Sequence, residues 1–505
     1  MGIWLAYEAG GKILEGNTRI LLLVGVAAVG CAIALRMLRD WRTGFYFFFC
    51  WLMIEDLPRK YMGNNFALFF GKDILLALVY FSLFREIRKG KEKAFRPPFF
   101  IFLSLFFWLG VLQVFNPNSP HVLYGLLGLK LYFYYVPLLF VGYALVRDDA
   151  SLHKFLVTNA AIAMGIAGVG IIQALGSHNF LNPAVLAPEL QDLGNLYKIT
   201  PLSGRTFALP PSIFVSSGRL DEYLVVAFLV LLGTAGYILL TQRAQGRKLV
   251  FAAIATVAVA SLLCGSRGTI LFNGIGSVVL LAGFLWGAPW RDRQAYRLFR
   301  AIRRSVIVAG LGLAVLILVF PEEAGSRIAF YNETLNPSSR AYEGGTRSWD
   351  YPIRNLMGAF DHPTWVYGNG IGTASLGTQY VGRLIGEVPP NVWVEEGYGQ
   401  LIVEMGILAP LLWILWSGAL LYYSWKVIRQ LRQTRLFPIG LAIFFYAFLL
   451  LYPIMFGGFA TYENYICNAY LWLLVGMLFR MPDLLQNSPV LTPEGRLASQ
   501  RVPVS

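Results

Sequence analysis

The chain has 505 residues, 56% of them hydrophobic and 14% charged, with a net charge of +14 and a mean hydropathy of +0.57. A soluble domain is about 45–50% apolar and about 25% charged, so these figures exclude a soluble enzyme with appended loops and a disordered regulator. They demand lipid contact along most of the length, and the basic excess then reflects cytoplasmic loops facing anionic lipid, not nucleic acid.

A membrane-spanning helix needs about 20 mostly apolar residues. Such runs lie near 19–38, 43–58, 67–84, 98–115, 126–146, 155–175, 221–241, 249–265, 268–288, 305–320, 400–423, 437–456 and 465–480. The second is short and ends in Glu55–Asp56, so twelve or thirteen spans are expected. The fold class is an all-α polytopic membrane protein. Residues 1–18 carry Glu8, Lys12 and Glu15 without a basic leader or a small-residue cleavage site, which argues against a removable signal peptide.

Basic clusters occur at Arg85–Arg96, Arg243–Lys248, Arg291–Arg304 and Lys426–Arg435. All share one side if the spans from 67 onward alternate, and that side is the cytoplasm. The tail 481–505, rich in Pro, Gly and Ser, lands there too and reads as disordered. With thirteen spans the N-terminus lies outside. The expected organisation is N-terminal spans (1–175), an outer loop (176–220), central spans (221–320), a large outer loop (321–399), C-terminal spans (400–480) and the tail.

Links between helices are usually about 2–8 residues, so the two long outer loops carry function or are disordered. The second holds Tyr342, Trp349, Tyr351, Leu356, Phe360, Trp365, Tyr367, Val392 and Trp393, with helical signals around 346–360, and has enough apolar content to fold as a subdomain. No repeat of fixed period and no inverted symmetry between halves is evident. The four cysteines (Cys31, Cys50, Cys264, Cys467) lie in or beside apolar runs without metal-ligand spacing, and the four histidines form no cluster. Neither a disulfide framework nor a metal site is expected, and no cofactor is called for.

Charge at the membrane edge on the loop-rich side marks the functional candidates. Arg205 and Arg219 precede the span that opens near Glu222, where an arginine beside Ser216, Ser217 and Gly218 and a helix N-terminus suits phosphate; the alternative is a solvated loop with an interfacial arginine. Arg267 sits in a tight external turn, Gly265–Gly268, against the positive-inside bias; the alternative to anion binding is interface anchoring. Arg347 lies in the large loop, where the plain alternative is a salt bridge with Asp350 or another neighbour. The stretch 368–372, GNGIG, lacks the strand–turn–helix context of a dinucleotide site, so its glycines shape a turn or admit a ligand. Glu395 and Glu396 stand where the chain re-enters the membrane, and Glu396, Gln400 and Glu404 share one helix face. A carboxylate at that edge suits a general base, with helix N-terminal capping as the alternative and a structural role for Glu404.

The order SGR before a span, GSRGTIL, R-x-W, YGNGIG, then a polar residue nine before E-x-G resembles the O-antigen ligase and O-antigen polymerase superfamily. The resemblance covers about 200–410. Arg267 matches the arginine of the family's SRG motif and Arg347 the one preceding a tryptophan in the large periplasmic loop; Arg219 and Arg205 match less closely. Glu395 falls where ligases carry a histidine base, and Glu395–Glu396 in place of His–Asn favours a repeat-unit polymerase.

The resemblance implies a GT-C-like membrane fold with a large periplasmic loop subdomain in the bacterial inner membrane. It also implies a metal-independent, inverting glycosyltransferase that uses undecaprenyl-pyrophosphate-linked glycans as donor and acceptor, with a chain-length regulator as partner. Arg267, Arg347, Arg219 and Arg205 would hold pyrophosphate; Glu395, then Glu396, then distantly His362 would take the acceptor's proton. The alternatives are a ligase that attaches finished glycan, a transporter of lipid-linked glycans, which would line a mid-membrane path with polar groups, and a membrane scaffold.

Overall fold

The structure is a computed structural model. It describes residues 30–63, 66–183, 186, 197–241, 244–289, 296, 300, 303–304, 307, 310–312, 314–315, 317–375, 377–388, 390, 394, 397–456 and 462–486. Among the described residues the molecule is mostly helical (74%) with almost no strand, as an all-α polytopic membrane protein requires. Among the described residues, six helices are long and apolar enough to cross a bilayer: Val122–Leu145, Asp149–Ala174, Ser217–Thr241, Arg267–Gly287, Leu408–Leu431 and Phe437–Phe456. Phe100–Val114 is apolar but shorter.

Two compact units divide the chain, Met1–Ala94 and Phe95–Ser505. In the first, α1 (Trp41–Ile54) starts because the Asp40 carboxylate accepts the Arg42 amide at 3.1 Å. Its Phe45, Phe48, Phe49 and Leu52 are buried. The helix ends at Glu55, and α2 (Asp56–Met62) and α3 (Phe66–Arg88) follow. Glu55, Asp56, Arg59, Lys60, Lys72 and Asp73 are all buried here. Lys72 pairs with Glu55 at 2.5 Å and Arg59 with Asp56 at 2.6 Å. Buried charges of this density are costly unless matched, and these three acids and three bases balance.

In the second unit, α4 (Phe100–Val114), α5 (Val122–Phe133) and α6 (Leu138–Leu145) lead into α7 (Asp149–Ala174). A hairpin of β1 (Tyr197–Ile199) and β2 (Thr206–Ala208), with Lys198 opposite Phe207, precedes α8 (Ser217–Thr241). Then come α9 (Arg247–Leu263), α10 (Arg267–Gly287) and α11 (Pro321–Leu335). The large loop contributes a π-helical turn (Thr346–Asp350), α12 (Tyr351–Gly358) and α13 (Thr378–Ile385), so the stretch 346–360 is helical. The C-terminal part holds α14 (Gly397–Met405), α15 (Leu408–Leu431), α16 (Phe437–Leu451), α17 (Pro453–Phe456) and α18 (Tyr465–Gln486).

Beyond its first two turns helix α8 is apolar on every side and, like the span Phe437–Phe456, it is enclosed along most of its length. Helices α6 and α18 approach through small residues. A methyl on Gly142 would strike the Leu473 carbonyl oxygen, and one on Gly476 would strike that of Leu139. This is the small-residue contact by which membrane helices gain packing without a hydrophobic drive.

The span expected at 400–423 is broken. Helix α14 stops at Met405 and α15 begins at Leu408, because Gly406 takes φ +79° and its backbone lies against Val366. Hydropathy is continuous through this point, which is why the sequence suggests one helix.

Candidate functional site

Two ends of the bundle are distinguished by their contacts. At one, the Gln433 amide donates to Gly287 O and Arg435 pairs with Asp149, bringing together the ends of α10 and α15 and the start of α7. The other end holds the first residues of α8 and α10, and the candidate site is there.

Helices α9 and α10 are joined through Gly265 at φ +79°, and Ser266 caps α10 by accepting the Thr269 amide at 3.4 Å. Arg267 is the first residue of that helix. Its guanidinium pairs with the Glu343 carboxylate at 2.9 Å, and Arg347 reaches the same oxygen at 3.4 Å. Two arginines from distant parts of the chain thus meet on one acid. In this structure the carboxylate of Glu343 occupies the place that the sequence reading gives to an anion at Arg267. For Arg347, the ion pair with a neighbour holds, and the neighbour is Glu343, not Asp350.

Phe330 of α11 forms the floor under these cations, with Arg267 at 5.4 Å and Lys198 at 4.9 Å from the ring centre. Lys198 donates to Gly265 O at 2.8 Å. Burial pulls the Lys198 ammonium below its ordinary range; Asp221 opposes that and Arg267 adds to it. The hairpin docks through Phe207 and Leu209 on Phe330. Arg327 fastens the same corner: buried, it donates to Leu263 O at 2.8 Å and Ala208 O at 2.9 Å and pairs with Glu323 at 2.8 Å.

Burial alone would raise the Glu343 carboxyl, but Arg267 and Arg347 carry it below its ordinary 4.5. The sign follows. A depressed folded value means the tie is fully present above about 4.5 and weakens as pH falls through the lowered value. The thermal midpoint of the purified protein should therefore exceed that of Glu343→Gln by a constant margin from neutral pH down to about 4.5, and the margin should close only below it. The margin is small, under about 1 kcal/mol, because both partners are partly exposed. A margin that closes near neutrality would show the pairing to be absent.

Arg205 and Arg219 belong elsewhere. Arg205 lies in the hairpin turn with its guanidinium beside Gly325, while Glu333 accepts the Leu202 and Ser203 amides at 2.7 and 3.1 Å. It serves hairpin docking on α11. Arg219 is inside the first turn of α8, not before it, because the helix opens at Ser217. Its guanidinium sits 5.0 Å from the Tyr465 ring centre.

On the other flank of the α8 start, Glu222 accepts a hydrogen bond from Asn464. Next to Asn464, Glu463 accepts from Gln400 at 2.5 Å. The Ser375 hydroxyl lies 2.7 Å from Glu463 Oε1 and 2.6 Å from Glu404 Oε1, and Glu404 also accepts the Ala374 amide at 3.0 Å. Gln400 and Glu404 share a helix face, as their spacing dictates. A hydroxyl has one proton, so both short contacts of Ser375 require a second, held by one of the carboxyl groups. The carboxylic C=O infrared absorption at neutral pH should be weaker in the Glu404→Gln/Glu463→Gln variant than in the wild type; an unchanged band intensity would refute the protonated pair.

Glu395 and Glu396 lie outside the described residues, as do Val392 and Trp393. The glycine motif has a clear role: Gly368, Gly370 and Gly372 have φ of +77°, +101° and +86°. The Asn369 and Gly370 amides donate to Val403 O and Glu404 O at 2.9 Å each, and Gln113 reaches Met405 O at 3.2 Å. These bonds satisfy the last carbonyls of α14. Gly372 packs on the α5 backbone, where a methyl on Gly128 would come within 2.6 Å of its nitrogen. Of the two readings, turn and ligand approach, these contacts supply the turn.

Glu343, Lys198, Glu463 and Ser375 escape sequence reasoning. Each gains its meaning from a partner far along the chain. The usable signal is weak: Lys198 is a cation in a loop that the sequence reading expects on the outer side, which the positive-inside bias flags as it flags Arg267. Comparison of the chain with family models, curated proteins and solved structures gave no match.

Proposed function

We propose that the chain polymerises polyprenyl-pyrophosphate-linked oligosaccharide repeat units at the periplasmic face of a bacterial inner membrane. In this reading the full fold has twelve or thirteen spans with a GT-C-like periplasmic subdomain. The observation that carries it is the convergence of Arg267 and Arg347 on one carboxylate at the end of the helix bundle opposite the basic stretch Lys426–Arg435. Guanidinium groups stay charged and bind phosphate bidentately, so a diphosphate that displaces Glu343 gains both. Lys198 adds a third positive charge beside them.

The acceptor sugar hydroxyl attacks the anomeric carbon and the bond from that carbon to the diphosphate oxygen breaks. The diphosphate leaves with the electron pair, and the arginines stabilise the charge that develops. The hydroxyl proton goes to a carboxylate, Glu395 first and Glu396 second, and the anomeric configuration inverts. The test is incubation of the purified protein with a lipid-linked repeat unit, followed by product sizing. Polymer is expected from the wild type and only single units from Glu395→Gln. An active Glu395→Gln beside an inactive Glu396→Gln would move the base by one residue, and no polymer from the wild type would sink the reading.

A transporter of lipid-linked glycans is the second reading, favoured by the six buried charges of the Met1–Ala94 unit. Loss of a polymerase leaves single units outside, loss of a ligase leaves long lipid-linked polymer, and loss of a transporter leaves units on the cytoplasmic face.

A further inference from the structure

The end of the bundle opposite the arginine site carries an open groove of about 550 Å³ lined by Trp286, Lys426, Arg429, Gln430 and Arg432. Trp286 is in the last turn of α10, and the others lie in the last turns of α15 and just past it. The Gln433 amide, donating to Gly287 O at 2.7 Å, holds the two helix ends together.

Two properties set this groove apart from an ordinary basic loop. Two of its three cations, Lys426 and Arg432, rest on aromatic rings. Arg432 stacks 4.3 Å from the Trp286 ring centre, and Lys426 lies 4.4 Å from that of Tyr422. Among the described residues no carboxylate pairs with Lys426, Arg429 or Arg432; the nearby Arg435 has Asp149 at 2.8 Å. The second property is an apolar wall. Trp286 and Trp425 stack at 6.4 Å with planes 3° apart, and Leu285, Trp286 and Tyr422 are all exposed.

We infer that this groove is a binding site for the phosphate headgroup of an anionic phospholipid of the cytoplasmic leaflet. The cations meet the phosphodiester, and the exposed aromatic and apolar side chains at the same level meet the glycerol backbone and upper acyl chains. Arginines stacked on indole keep their N–H edges free for phosphate oxygens, which an acid partner would block. The helix geometry supports the depth. Gly287 lies about 30 Å along α10 from Arg267, one hydrocarbon thickness away. The alternative is that these cations only favour the α15 C-terminus and obey the positive-inside bias, which predicts no preference among lipids.

The test is native mass spectrometry of the full chain released from mixed micelles of phosphatidylglycerol and phosphatidylcholine. Wild type is expected to retain phosphatidylglycerol preferentially, and Lys426→Gln/Arg429→Gln/Arg432→Gln to lower that preference about tenfold or more. Removing the same amount of charge elsewhere, with Arg88→Gln/Lys89→Gln/Lys91→Gln, should leave it unchanged. Trp286→Ala should weaken it with all charges kept. An equal loss in the loop control would reduce the effect to general attraction and overturn the proposal. Displacement of the lipid by inorganic phosphate alone would assign the groove to a soluble anion and overturn it too.

Discussion

Arg267→Ala is expected to lower polymer formation by about two orders of magnitude or more while the protein still inserts and folds. The side chain leaves no core behind, since it is the first residue of α10 and stands at the bundle end, paired with a partly exposed acid. Ser266, not Arg267, caps the helix, so α10 keeps its start. On the proposed function, what is lost is the fixed charge that would face the departing diphosphate. Arg267→Lys should recover little, because an ammonium cannot offer two parallel N–H bonds. Arg347→Ala should behave like Arg267→Ala in product sizing, and Arg205→Ala should not, because Arg205 lies with Gly325 and Glu333 instead. Normal polymer length from both Arg267→Ala and Arg347→Ala would end the proposed role of the pair. Equal loss in Arg205→Ala would extend the site along α11.

Gly476→Val is expected to prevent recovery of folded protein from the membrane. A side chain at Gly476 would enter the Leu139 carbonyl, and the reciprocal contact of Gly142 with Leu473 O leaves neither helix room to shift. Both positions are helical, so the obstacle is contact and not backbone conformation. Overpacking in a tight core costs about 1–3 kcal/mol when neighbours can give way; here the obstruction is main chain, so the upper end or more applies. Gly274→Val is the matched control, because a side chain there meets open space. Size-exclusion profile and melting midpoint in detergent are the readouts. A monodisperse Gly476→Val protein with an unchanged midpoint would show that the helices do not cross as described.

The positions of most long spans follow from hydropathy because a spanning segment must satisfy its backbone internally and face lipid. Five of the expected spans coincide with helices of sufficient length and apolarity among the described residues, and a sixth, expected at 400–423, is displaced to Leu408–Leu431. Arg267 stands out for the same reason: a cation away from the basic side demands a cause. Glu343 could not be read in this way. It lies in AYEGGTR, which looks like solvated loop, and its role depends on an arginine brought from another element. The Glu404–Ser375–Glu463 contact was half visible. Spacing put Gln400 and Glu404 on one face, but pairwise periodicity carries no information about a serine in the preceding loop or an acid after α17. The break at Gly406 was hidden since glycine inside an apolar run is common in membrane helices, and only the apposed Val366 backbone makes it a stop.

The clasp between the glycine loop and α14 limits which parts of the outer subdomain are free to gate. Peeling 368–372 from the bundle would strand the carbonyls of Val403 and Glu404, at about 1–3 kcal/mol for each group left without a partner. It would also pull Gly372 off α5, whose Gly128 was matched to it. This stretch is an anchored hinge plate, not a door. If the proposed function holds, a carrier lipid whose headgroup is too large to cross that seam has to arrive sideways through the leaflet, with its chain remaining in oil while the glycan swings round to the cations.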